Sequence, residues 1–152
     1  MKINYFVKSW LKKQKTVTVI SGYFAAPIYE HPGYRDYIES AFYLGNPVLM
    51  IVSNRKQFKA KYGKVYHGWR TICAEYPEIM PLISLDKNGT QCDTLTEIRK
   101  YCENVIFYKD GSEYDKSNLP ESKVKGIQLV FGVHVKIASS SEILGIKKNK
   151  ER

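Results

Sequence analysis

Acidic residues, cysteines and long apolar runs are all scarce in this 152-residue chain. There are 15 Asp and Glu against 24 Lys and Arg, for a formal net charge of +9. That balance favours anionic partners: nucleotides, nucleic acid or an acidic membrane surface. Part of the excess lies in the basic tail 147–152, with Lys147, Lys148, Lys150 and Arg152, which is expected to be solvated. Cys73, Cys92 and Cys102 are unevenly spaced and contain no CxxC pair. This argues against a disulfide framework and a thiolate zinc site, so a reducing, cytoplasmic setting is expected. No apolar run approaches the roughly 20 residues of a membrane span. The opening "MKINYFVKSWLKKQK" mixes lysines with aromatics and lacks the continuous apolar core of a signal peptide. No repeat, low-complexity segment or linker divides the chain, and 152 residues suit one domain with a substantial core.

What is present is alternation. "TVTVI" (Thr16–Ile20) is short and β-branched, as in a buried strand. Tyr34, Tyr37, Ile38, Ala41 and Phe42 follow at helical spacing, and Gly45 stands where a helix C-terminal cap belongs. "PVLMIVS" (Pro47–Ser53) is a second strand, apolar on both faces. A helix is predicted over Val65–Tyr76, a strand over Ile79–Leu85, a helix over Thr94–Asn104, and strands over Val105–Tyr108 and Ile127–Val133. "SSSEILGI" starts a last helix. Five strands alternating with helices imply a parallel sheet covered on both faces, a Rossmann-like three-layer α/β sandwich whose five-stranded sheet is mostly parallel. Residues 16–146 make up this domain. Residues 1–15 precede it as an amphipathic extension, with Ile3, Phe6, Val7, Trp10 and Leu11 spaced to pack on the domain or on a partner subunit.

In such sheets ligands bind outside the carboxyl ends of the strands, where strand order reverses. The stretch "GYFAAPIYEHPGYRDYIESA" (Gly22–Ala41) follows the first strand. Gly22 puts no side chain in the way of a ligand approaching the backbone. Pro32 and Gly33 open a helix whose free N–H groups and dipole favour an anion. His31 stands at that mouth, either as a phosphate-binding group or as a plain loop residue. A second loop, "KIASSSEILG" (Lys136–Gly145), offers Lys136 with Ser139, Ser140 and Ser141 before a helix. Ser139 and Glu142 also satisfy a capping box, so capping alone is the competing reading. His134 lies just upstream, and His67 sits beside Gly68 on a predicted helix.

These residues resemble the HxGH-motif nucleotidyltransferases, the cytidylyltransferase-like family that includes glycerol-phosphate cytidylyltransferase and heptose-phosphate adenylyltransferase. The family's G-x-F corresponds to Gly22-Tyr23-Phe24, and its H-x-G-H to His31-Pro32-Gly33-Tyr34. "GWRTICAEY" resembles the helix that carries an arginine, here Arg70. "VKIASSSEIL" resembles the closing serine-rich motif. The similarity covers about Thr16 to Leu144.

The resemblance implies transfer of a nucleoside monophosphate from CTP or ATP to a phosphorylated small molecule, with release of pyrophosphate. Mg²⁺ is implied, carried by the triphosphate, with no metal site of the protein's own. His31, Tyr34 and Arg70 would serve catalysis. Gly22, Tyr23, Phe24 and Gly33, with Lys136, Ser139, Ser140 and Ser141, would hold nucleotide and phosphates. A homodimer is implied, and neither nucleic acid nor a membrane is expected as partner. Three features depart from the family pattern, one of them joined by a spacing from Phe24 to His31 that is three residues longer than usual. Tyr34 replaces the second histidine, Ala25 replaces an acidic residue, and Asp110-Gly111-Ser112-Glu113-Tyr114 replaces the usual N-G-G-D-R loop. A nucleotide binder of the same fold without turnover is therefore the alternative.

Overall fold

A computed structural model of the chain describes residues 2–110 and 119–132. The first element is helix α1 (Tyr5–Lys12), capped by Asn4, whose side chain accepts the Val7 amide at 3.0 Å. Ile3, Val7 and Leu11 recur every four residues and are buried against the sheet. Phe6, expected on the same face, is 82% exposed. One residue along a helix turns the side chain by about 100°, which takes Phe6 off the narrow stripe that Val7 occupies.

The remaining elements are β1 (Thr16–Gly22), α2 (Pro32–Phe42), β2 (Val48–Val52), α3 (Arg55–Tyr62), α4 (Trp69–Glu75), β3 (Met80–Ile83), α5 (Cys92–Arg99), β4 (Asn104–Lys109) and β5 (Ile127–Phe131). The sheet order is β3-β2-β1-β4-β5, and every pairing is parallel. Side chains alternate between two buried layers, as a sheet covered on both faces requires. Ile20, Val48, Met50 and Val52 pack with Ile38 of α2, Phe58 of α3 and Ile72 of α4. Val17, Val19, Leu49, Ile51 and Phe107 pack with Val7 and Leu11 of α1 and with Leu95 and Ile98 of α5. The fold is thus the expected three-layer sandwich of Rossmann type, with helices on both faces of an all-parallel sheet. Each fully buried Leu or Ile in these layers contributes about 1.5–3 kcal/mol.

Three elements differ from the sequence expectation, and one is α5, which stops at Arg99 rather than Asn104, the residue that instead starts β4. Helix α3 was not expected, because Phe58 and Tyr62 are its only buried apolar positions in a run of lysines. Its ends are nevertheless marked. Asn54 and Gln57 form a reciprocal capping box, and Gly63 closes the helix at φ 81°, in the left-handed region. The helix predicted from Val65 begins only at Trp69. Val65 and Tyr66 instead belong to the connector from α3, where both pack against the core.

A buried polar network starts α5. The Asp86 carboxylate accepts the amides of Asp93 and Thr94, both at 2.9 Å, and the Thr94 hydroxyl at 2.6 Å. A negative group on these free N–H donors is stabilised by the helix dipole. Buried Glu121 accepts the Gln91 amide at 2.8 Å, and the Asn54 side chain donates to the carbonyls of Ser84 and Asp86. The carboxyl ends of β2 and β3 are tied together in this way.

Candidate functional site at the carboxyl edge of the sheet

β1 lies between β2 and β4, so the chain winds outward in both directions from the β1–β4 junction. This is the switch point where such sheets hold ligands. Gly22, Tyr23 and Phe24 leave β1 on one side of it, and Lys109 and Asp110 end β4 on the other.

The loop after β1 is shaped by small residues and one strained one. Phe24 has φ 48°, sparsely populated for any residue but glycine, at a cost of order 1–3 kcal/mol. That turn folds its ring back over Gly22, where a Cβ would sit 3.1 Å from the ring. Ala25 and Ala26 are buried against the start of α4. A Cβ on Gly68 would come within 2.3 Å of the Ala26 carbonyl oxygen, so only glycine fits there. The Ile28 amide donates to the Thr71 hydroxyl at 2.8 Å, and that hydroxyl donates to the Gly68 carbonyl at 2.6 Å. The loop is thereby fastened to α4.

A 3-10 turn (Ile28–Glu30) then delivers His31 to the N-cap of α2, with Pro32 at the first helical position. The His31 carbonyl accepts the Tyr34 amide at 3.0 Å. The His31 imidazole is stacked on the Tyr34 ring, with centroids 3.7 Å apart and planes 9° apart. Tyr34 meets Phe24 edge-on at 5.4 Å. The result is a row Phe24–Tyr34–His31, with His31 only 4% and Tyr34 7% exposed. Arg35 pairs with Glu75 at 2.8 Å, and the Tyr76 hydroxyl donates to Glu39 at 2.9 Å, so α2 and α4 are joined at the surface. Glu75 beside Arg35 holds the guanidinium pKa above its ordinary value. Burial raises the Tyr76 phenol, with Glu39 adding to the effect.

The structure places Gly22, Tyr23, Phe24, His31, Gly33 and Tyr34 together on the connection from β1 to α2. Arg70 sits in the first turn of α4, beside Thr71, exposed and 5.6 Å from the Trp69 ring. Lys136, Ser139, Ser140 and Ser141, with His134 and the positions 111–114, lie outside the described residues.

Other contributors escape a reading of spacing alone. Lys61 of α3 stands 4.3 Å over the Tyr23 ring, which packs edge-on against Phe58 and Tyr62 at 5.2 and 5.4 Å. From Ser53 to Ala74 the sequence has no Asp or Glu but carries Arg55, Lys56, Lys59, Lys61, Lys64 and Arg70. The segment after β2 thus contributes a positive field favourable to anions. The absence of acids over that stretch was the available signal. Tyr37 is a further contributor. Its hydroxyl reaches across the switch point, donating to the Tyr108 carbonyl at 2.7 Å and receiving the Ser21 amide at 3.4 Å.

Among the described residues, no group of three or more His, Cys, Asp or Glu comes together to hold a metal ion. No helix among them is long and apolar enough to cross a membrane. No protein-family model matches the sequence, and no curated protein matches it.

Proposed function

We propose that the protein is a nucleotidyltransferase. It would move a nucleoside monophosphate from CTP or ATP to a phosphorylated small molecule and release pyrophosphate. The observation that carries this reading is the segment Gly22–Tyr34. It leaves β1 at the switch point, turns sharply at Phe24, and ends with His31 at the N-cap of an eleven-residue helix. Helix N–H groups and an imidazole donor at one spot suit a triphosphate.

An oxygen of the acceptor's phosphate attacks the α-phosphorus, and the bond to the β-phosphate oxygen breaks in line. Such a step asks the protein mainly for alignment and for positive groups on the shifting charge. His31 donates to the phosphate oxygens as charge moves onto the leaving pyrophosphate. Gly22, Tyr23 and Phe24 supply backbone beside the nucleotide, and Gly33 an amide of the first helical turn. Lys136 and Ser139–Ser141 would take the β- and γ-phosphates, and Arg70 the acceptor or a phosphate. Mg²⁺ would arrive on the triphosphate and neutralise its oxygens. A homodimer and a cytoplasmic setting, where Cys73, Cys92 and Cys102 stay free thiols, complete the reading.

One observation favours a second reading, nucleotide binding without turnover. The position of the second motif histidine is taken by Tyr34, whose phenol carries no positive charge at neutral pH. Pyrophosphate release with CTP, ATP, GTP and UTP against a panel of sugar, polyol and nucleotide phosphates separates the two. Turnover that His31→Ala abolishes supports the transferase. Triphosphate-dependent thermal stabilisation without turnover supports the binder. No stabilisation by any triphosphate, with Mg²⁺ present, overturns both.

A further inference from the structure

The β1–β4 ladder stops early. Its register runs from Thr16 opposite Asn104 to Val19 opposite Phe107 and no further. Yet β1 continues to Gly22 in register with β2, and β4 continues to Lys109 in register with β5. The two central strands therefore part company at their carboxyl ends, where a ligand would enter.

The cause is visible in the hydrogen bonds. The Thr18 amide points to β2, where it donates to the Pro47 carbonyl at 2.9 Å. Amides alternate along a strand, so the Ser21 amide points to β4. Extending the register places Ser21 opposite Lys109, and the next rung of a parallel ladder would join the Ser21 N–H to the Tyr108 carbonyl. Those are the two groups that the Tyr37 hydroxyl occupies, accepting from Ser21 at 3.4 Å and donating to Tyr108 at 2.7 Å. One phenol oxygen has been inserted into one ladder bond. The Tyr37 ring is buried and stacked 5.8 Å from the Tyr108 ring at 18°, so it approaches from the α2 side and is held there.

We infer that Tyr37 is a positioning residue that sets the width of the crevice: its hydroxyl replaces a strand-pairing bond and keeps Gly22–Tyr23 apart from Lys109–Asp110. The consequence for nucleotide binding rests on the proposed function. The wedge itself does not. α2 has His31 at its N-cap and Tyr37 six residues further along, so the helix that sets the gap is also the one that begins at the imidazole.

The test is Tyr37→Phe in the full chain, with two separate readouts. The first is NMR coupling across hydrogen bonds in the ligand-free protein. The wild type should show no coupling between the Ser21 amide nitrogen and the Tyr108 carbonyl carbon, and a slowly exchanging Tyr37 hydroxyl proton. In Tyr37→Phe the direct Ser21–Tyr108 coupling should appear as the strands close. The second is triphosphate affinity, expected to weaken by about tenfold or more, with the KM of the phosphorylated acceptor little changed. A wild type that already shows the direct coupling, or a Tyr37→Phe that keeps wild-type triphosphate affinity with the strands still apart, overturns the inference. If the variant fails to fold, the wild-type couplings alone decide whether the wedge exists. If the wild type binds no triphosphate, the proposed function fails and the wedge still stands or falls on the couplings.

Discussion

Replacing Gly68 by alanine sets two known effects against each other. Gly68 precedes α4 at φ −57° and ψ −27°, in the right-handed helical region. On backbone grounds alone, alanine there should stabilise by up to about 1 kcal/mol. The packing says otherwise. The new Cβ would lie 2.3 Å from the Ala26 oxygen, 2.4 Å from the Ala25 oxygen and 2.5 Å from the Ala26 carbonyl carbon. Ordinary C···O contacts are about 3.3 Å or more, so loop and helix must separate by about 1 Å. Both sides of the contact are backbone, and no rotamer change relieves it. Overpacking of this kind costs about 1–3 kcal/mol, and the upper end applies here. The net expectation is about 2 kcal/mol of destabilisation, seen as a fall in Tm of about 4–8 °C for a chain of this size. The displaced segment is the one that leads through Ile28 to His31, so under the proposed function triphosphate turnover should fall by about a hundredfold. Gly89→Ala is the control, since nothing lies within 4 Å of its Cβ position. Differential scanning calorimetry of both variants gives the answer. A Gly68→Ala protein as stable as the wild type would refute the claim that the loop and α4 are fitted backbone to backbone.

Three further outcomes follow from the packing. Leu11→Ala, fully buried between α1 and the sheet, should cost about 2–5 kcal/mol in urea unfolding, whereas Phe6→Ala should stay within about 0.5 kcal/mol. Asp86→Ala removes the acceptor of two amides and a hydroxyl at the start of α5 and should lower the urea midpoint by the equivalent of about 2–4 kcal/mol. Burial pushes the thiols of Cys102 and Cys73 above their ordinary range. A folded pKa above the unfolded one means a contribution present below about pH 8.5 and lost as pH rises through the folded value. Urea midpoints should therefore drop as pH rises above about 8.5, and less steeply in Cys102→Ala.

The central strands were legible because a strand buried on both faces leaves a continuous apolar run, as in Val48–Val52, and that run survives in any context. Helix α3 was not, because its stability comes from two aromatic anchors, a capping box and a left-handed glycine rather than from a broad apolar stripe. The cap residues Asn54, Gln57 and Gly63 were in plain view. Caps, however, carry weight only when a periodic segment lies between them. Phe6 misled for a related reason. A four-residue repeat such as Ile3, Val7, Leu11 marks a narrow stripe, and a neighbour one residue along, such as Phe6, is turned off it by about 100°.

The site shows a deeper limit. Spacing places Gly22, His31, Gly33 and Tyr34 on one connection, but it says nothing of what each side chain leans on. Tyr34 looks like a lost charge when the motif is read as letters. In three dimensions its ring fills the space between Phe24 and His31 and lies flat against the imidazole. Stacked aromatic pairs contribute about 0.5–1.5 kcal/mol beyond their burial, enough to hold one orientation of a ring at the helix mouth. A second imidazole would supply charge there, whereas the phenol supplies order. Tyr37, one turn further along α2, again uses a phenol in place of an aliphatic core residue, and its oxygen does what no apolar side chain can, standing in for a strand partner. Both tyrosines carry the spacing of core residues, and both act through atoms that spacing does not register. In this chain the chemistry of the crevice is therefore written in which ring occupies a buried position, one level below the hydrophobic pattern that specifies the fold.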